Sequence, residues 1–138
     1  MYGVSTDKLS INEITKSFFG VFTNTNNKQP NWNLLSSICI PEIMLISKTE
    51  TTHTVYSLTS FIEPRQKILT DGTLKEFEEH ETTEHTKIIG NIAQRHSAYQ
   101  KSGILEGTMF KQEGYKFLQF VKTNAEWKIS SAIWEDEK

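Results

Sequence analysis

Residues 115–134 read Tyr115-Lys116-Phe117-Leu118-Gln119-Phe120-Val121-Lys122-Thr123-Asn124-Ala125-Glu126-Trp127-Lys128-Ile129-Ser130-Ser131-Ala132-Ile133-Trp134. Two period-two runs meet there at a short polar break, and period two marks extended backbone because successive side chains point to opposite faces. With Asn124-Ala125 as a two-residue turn, Phe120 is expected opposite Ile129, Leu118 opposite Ser131 and Lys116 opposite Ile133, with Trp127 extending that face. The other face takes Tyr115, Phe117, Gln119 and Val121 against Trp134, Ala132, Ser130 and Lys128. Aromatic residues on both faces do not fit a sheet with one wet side. Each face needs a cover: the chain's own helices on one, and on the other a second copy of the chain, giving a homodimer through the sheet face.

Upstream, the same period extends back to Thr73, with strands expected near residues 74–85, 88–101, 107–122 and 126–135. The breaks fall at His85-Thr86-Lys87, at Ser102–Gly107 and at Thr123–Glu126, and four strands in succession imply an antiparallel meander. Before Thr73 the period is helical. Ser10-Ile11-Asn12-Glu13 is a capping box, and Ile11, Ile14, Phe18, Val21 and Phe22 form one apolar stripe running to about Thr23. Asn31 caps a short second helix in which Trp32, Leu35 and Ile38 share a face, and Pro41 prevents its continuation. Ile43-Met44-Leu45-Ile46 reads as a strand covered on both faces, and His53-Thr54-Val55-Tyr56 as a second short strand. A third helix begins either at Ser60, where Ser60-Phe61-Ile62-Glu63 repeats the capping box, or near Pro64, and ends at Gly72. Helices first and a curled antiparallel sheet second make an α+β domain with about three helices in its N-terminal half.

The chain has 138 residues, 36% of them hydrophobic and 11% aromatic, which suits one globular core spanning 1–138. Fifteen basic and seventeen acidic residues leave a net charge of −2, which argues against a nucleic-acid partner held by bulk electrostatics. The single cysteine, Cys39, sits in the apolar run Ile38-Cys39-Ile40 and reads as a small buried hydrophobe without a charged neighbour to lower its pKa. The N-terminal segment has no apolar core of signal-peptide length and no stretch approaches a membrane span, so a cytoplasmic location with no membrane partner is expected.

Capped helix, short helix, apolar strand, third helix and a meander ending in Trp127-Lys128-Ile129 together resemble the nuclear transport factor 2-like superfamily, and within it the SnoaL-like bacterial proteins. The more specific features are Ile92-Ala93-Gln94-Arg95 with Ser97 and Tyr99, and the segment from Trp127 through Trp134-Glu135-Asp136-Glu137. The resemblance implies a cone: a bent sheet wraps the helices, leaves a pocket at its wide end and often dimerises through the sheet. Enzymes such as ketosteroid isomerase share that scaffold with members that only bind partners, so the fold leaves the function open. The isomerase residues do not carry over. Phe18 stands where a tyrosine donor belongs, Ser47 or Lys48 where the general base belongs, and Lys116 near the oxyanion-hole acid.

On the odd-numbered face of the third long segment, Phe77, Glu79 and Glu81 are expected beside Ala93, Arg95, Ser97 and Tyr99, with a hairpin centred near Lys87 placing Glu79 opposite Arg95. A partly apolar surface with a few convergent polar groups is the character of a small-ligand site. Arg95 is expected to grip a carboxylate or carbonyl and Tyr99 to supply a hydroxyl, with Arg65 at the pocket mouth. Phe77, Trp134, Tyr115, Phe18 and Trp32 complete the expected ligand-binding set, and Glu79 and Glu81 are the candidate catalytic bases. An ordinary cross-strand ion pair on a wet stretch is the competing account of Glu79 and Arg95. The even-numbered Glu76, Glu78 and Glu84 read as a solvated sheet edge. His80 and His85, five apart, are expected on opposite faces, so neither a metal site nor a cofactor is expected. Three functions stay open: a homodimeric protein binding a small organic molecule, a lyase-, isomerase- or cyclase-type enzyme using a pocket glutamate, and an interaction module whose pocket is filled by its own side chains.

Overall fold

The computed structural model describes residues 5–138, so the start of the N-terminal reading, Met1–Val4, lies outside them. Helix α1 (Thr6–Gly20) begins one turn before the expected capping box. Ser5 is its N-cap, accepting a hydrogen bond from the Lys8 backbone N–H, and Asp7 in the first turn suits the positive end of the helix dipole. Ser10–Glu13 therefore lie inside the helix, where Asn12 is free to bond elsewhere. Asn31 caps α2 (Trp32–Ile38) as expected. Helix α3 (Leu58–Thr70) starts earlier than either alternative, because Ser57 and Ser60 form the reciprocal box and Pro64 is carried inside the helix.

Six strands follow the chain as β1 (Cys39–Lys48), β2 (His53–Tyr56), β3 (Leu74–Ile89), β4 (Ile92–Leu105), β5 (Thr108–Thr123) and β6 (Glu126–Asp136). They form one curved, unclosed sheet in the order β2-β1-β6-β5-β4-β3. The last four strands are the expected antiparallel meander, and β1 joins it in parallel with β6. The helices cover one face, and Phe18, Leu35, Leu45, Phe61, Leu118 and Ile129 lie in the core between.

Two hairpin expectations change. The β3–β4 turn lies at Gly90-Asn91 rather than near Lys87, with Gly90 at φ 58° supplying the left-handed residue. Asn124-Ala125 is the β5–β6 turn as expected, and Phe120 pairs with Ile129. A bulge next to Phe120 then shifts the register, so Leu118 faces Ala132 and Lys116 faces Trp134. One inserted residue exchanges the two faces, sending Trp134 inward and Ile133 outward, the reverse of the sequence expectation.

Candidate functional site

A cavity of about 360 Å³ opens between α3 and the helix-covered face of β3–β6. Its apolar wall comes from Phe22 after α1, from Phe61, Ile68 and Leu69 of α3, and from Leu74, Phe77, Leu105, Phe110 and Trp134 of the sheet. Its polar lining is Arg65, Glu79, Lys101, Gln112, Lys116 and Asp136. Three cations and two carboxylates leave an excess of one positive charge. Asn24 fixes the rim: its amide donates to the Leu69 and Leu74 carbonyls and accepts from the Phe77 N–H, tying the α3–β3 junction to the end of α1.

Lys116 forms the polar floor. Its Nζ is 3.2 Å from Glu79 Oε2, with the two side chains only 6% and 8% exposed. Rings surround it, the centroids of Phe19, Phe18, Tyr99 and Trp134 lying 4.6, 5.0, 5.1 and 5.3 Å from Nζ. Such rings favour the cation, whereas burial disfavours any charge. Burial is the largest influence and holds the Lys116 ammonium below the ordinary lysine range, against the opposing pull of Glu79. Tyr99, whose hydroxyl donates to Asp136, is pushed well above the usual phenol value by burial and by that carboxylate. Lys101 holds the same carboxylate at 3.0 Å. At the opposite wall the Arg65 guanidinium stacks 3.7 Å over the Phe61 ring and donates to the Phe61 carbonyl.

Glu79 is not opposite Arg95. The turn at Gly90-Asn91, together with a bulge between Glu81 and Thr83, pairs Glu79 with Lys101 and Glu81 with Tyr99. Arg95, only 3% exposed, donates twice to Glu81 at 2.9 and 2.6 Å, and to Asn12 at 2.7 Å and Thr86 at 3.2 Å. Ser97 donates to the same glutamate. A bulge between Glu81 and Thr83 turns Glu84 inward, where it reaches Lys8 at 2.6 Å and Arg95 at 3.7 Å. Glu84 thus turns to the inward face while staying exposed on the edge strand β3. Burial raises its pKa, but hydrogen bonds from Lys8 and Thr86 outweigh this and hold it below the usual value. With four of its five N–H donors engaged inside the protein, Arg95 ties α1 to the β3–β4 hairpin and stands apart from the cavity lining.

Phe77, Trp134, Arg65 and Glu79 of the expected set line the cavity; Arg95 and Glu81 do not. Phe18 and Tyr99 lie behind it as walls of the Lys116 box. Trp32 stacks edge-on against Phe22 and is a packing residue. Tyr115 is 53% exposed on the outer sheet face, because the alternation that turns Lys116 inward turns its neighbour outward. The β3 bulge also places His80 and His85 on one face, opposite Gln100 and His96. No group of three or more metal-ligating side chains occurs among the described residues. Cys39 is buried as expected, and burial pushes its thiol up to about 12. Lys116, Lys101 and Asp136 line the cavity but are missed by sequence reasoning; the available signal is a lysine alternating with Leu118 and Phe120 on an apolar face.

No family model matches the chain, and no curated protein sequence matches it. Solved structures do match in fold. An NTF2-like protein of unknown function from Prochlorococcus marinus superposes with a TM-score of 0.75 at 14% identity, over 98% of this chain and 95% of that one. An NTF2-like protein of unknown function from Silicibacter pomeroyi gives 0.67 at 14%, over 97% and 100%. Hexachlorocyclohexane dehydrochlorinase LinA-type3 from Novosphingobium barchaimii gives 0.77 at 11%, over 96% and 87%.

Proposed function

From the nuclear transport factor 2-like fold of this chain, we propose that the protein binds a small, partly apolar organic molecule in the cavity between α3 and the sheet. The observation that carries this reading is the cavity itself. A module filled by its own side chains would have Phe77 and Trp134 packed across this space, whereas they line an opening whose volume lies at the small end of the ~300–1,000 Å³ typical of ligand sites. The apolar wall supplies affinity, and the few charged groups set into it orient the ligand. Native mass spectrometry of the purified protein tests it: a co-purifying small molecule that is lost on plugging the cavity with Ile68→Trp supports the reading, and binding unaffected by the plug contradicts it.

A second, enzymatic reading is favoured by one observation, a shielded carboxylate on the cavity floor. Glu79 is its candidate base, since Glu81 is held by Arg95 and Ser97. The likeness to a dehydrochlorinase is one of fold and carries no substrate across.

The proposal includes a cytoplasmic homodimer of SnoaL-like type, as a single domain over 1–138. Support for the dimer comes from the outer sheet face, where Met44, Tyr115, Phe117 and Ile133 are 42–53% exposed. Sedimentation of Phe117→Glu as a monomer against a dimeric parent supports it, and a monomeric parent removes it. No helix among the described residues is long and apolar enough to cross a membrane.

A further inference from the structure

Of the fifteen basic residues two are arginines, and among the lysines Lys116 alone is buried. It lines the cavity, and Glu79 is its sole hydrogen-bond acceptor among the described residues, although an ammonium carries three donors. As a stabilising device such a pair is weak, because desolvating both charges offsets their attraction. As a reactive device it is well placed: an amine at the closed end of an apolar cavity, with a proton acceptor within hydrogen-bond reach.

We infer that Lys116 forms an imine with the carbonyl carbon of an aldehyde or ketone bound in the cavity, with Glu79 carrying the proton. The inference rests on the reading of this cavity as a small-molecule site. The Glu79 carboxylate takes one proton from the ammonium, leaving a neutral amine. The nitrogen lone pair forms the N–C bond while the carbonyl π pair moves to oxygen, and transfer of a proton from nitrogen to that oxygen gives a carbinolamine. Protonated Glu79 then returns its proton to the hydroxyl, which leaves as water as the nitrogen lone pair forms the C=N bond. The sum is ammonium plus carbonyl giving iminium plus water, with Glu79 restored and no oxidant or reductant used.

Three features favour this course. Burial, reinforced by Lys101 of β4 and Arg65 of α3 and opposed by Glu79 of β3, holds the ammonium below the ordinary lysine range and so raises the fraction of neutral amine. The four rings around the ammonium also surround the iminium, which carries the same charge at the same nitrogen. The cavity walls are mostly apolar, which selects a carbonyl compound with a hydrocarbon or aromatic body.

Reductive trapping tests this directly. The full chain is incubated near pH 7 with 3-phenylpropanal and sodium cyanoborohydride, and the modified amines are located by peptide mapping, with the α-amino group as an internal reference because its ordinary pKa keeps it reactive there. Lys116 is expected to be alkylated faster than every other lysine of the chain. Compared at a pH high enough for Lys116 to be neutral in both proteins, Glu79→Gln should slow its alkylation by removing the proton carrier and leave the surface lysines unchanged. Saturation-transfer NMR with the unreactive alcohol 3-phenylpropanol reads occupancy of the cavity independently of chemistry. If the alcohol binds in competition with the aldehyde while Lys116 stays unmodified, the imine is overturned and the ligand site stands. If neither molecule binds and only surface lysines are modified, both readings fall.

Discussion

The Lys116 ammonium lies 3.2 Å from the Glu79 carboxylate, in a setting where the two side chains are 6% and 8% exposed. Removing either partner strands the other charge, so Glu79→Leu alone is expected to cost about 3–5 kcal/mol. Lys116→Met with Glu79→Leu should cost far less than the two single changes summed, because no unpaired charge remains. Urea denaturation of the four proteins gives the coupling, and additive costs would show that the pair does not form.

Arg95 and Glu81 are separated from the cavity and hold α1 against the β3–β4 hairpin. Arg95→Ala is expected to destabilise by about 3–5 kcal/mol by leaving Glu81 uncompensated. Glu81→Gln should lower stability less and leave the affinity for 3-phenylpropanol unchanged. A loss of affinity in Glu81→Gln, measured below its melting range, would return Glu81 to the site.

Gly114 pairs with Tyr99 across β4 and β5, and a Cβ there would run into the Tyr99 ring and hydroxyl and the Glu135 carbonyl. Gly114→Ala is therefore expected to cost at least ~1–3 kcal/mol, the usual range for forcing extra atoms into a packed region. Tyr99→Phe in that background should recover part of the loss, because the hydroxyl is the nearest obstacle. Equal melting temperatures for Gly114→Ala and the parent would contradict the close approach.

Acid stability carries a signature of Asp7, which accepts from Trp127 Nε1 and Lys122 Nζ at 2.9 Å each. The Trp127 hydrogen bond and then the Lys122 bond hold its carboxyl below the ordinary 3.8. The unfolded chain binds this proton more readily, so the Asp7 contribution is complete above the unfolded value and fades as pH falls through the lower folded one. The stability difference between the parent and Asp7→Asn should accordingly be constant above about pH 5 and shrink as the pH falls from there through the depressed folded value, as followed by denaturant titration. A constant difference would show that Asp7 carries no depressed pKa.

Helices, strands and overall class are legible in this sequence because caps at Asn31 and the period-two runs after Thr73 act locally. The α1 start is less so, because Ser5 is as good a cap as Ser10 and only packing chooses between them. The site is less legible for a different reason. Bulges beside Phe120 and between Glu81 and Thr83 have no compositional mark, yet each exchanges the faces of the residues beyond it. Trp134, Glu84 and His85 lie on the side opposite to the expected one for that reason alone. Gly90 does mark the true hairpin turn, but joining Glu81 to Tyr99 and Glu79 to Lys101 also takes the bulge between Glu81 and Thr83. Lys116 is visible as the odd charge on the face of Leu118 and Phe120, but its partner depends on a register that the sequence does not disclose.

The most direct test of the account is a titration of the uniformly 15N-labelled protein with 3-phenylpropanol, followed by backbone amide shifts. Binding in the cavity predicts saturable shifts at Phe77, Lys101, Lys116 and Trp134, with Gln94 and Tyr115 unmoved. Saturable shifts confined to Tyr115, Phe117 and Ile133 on the outer face, or none at any of these positions, would contradict it.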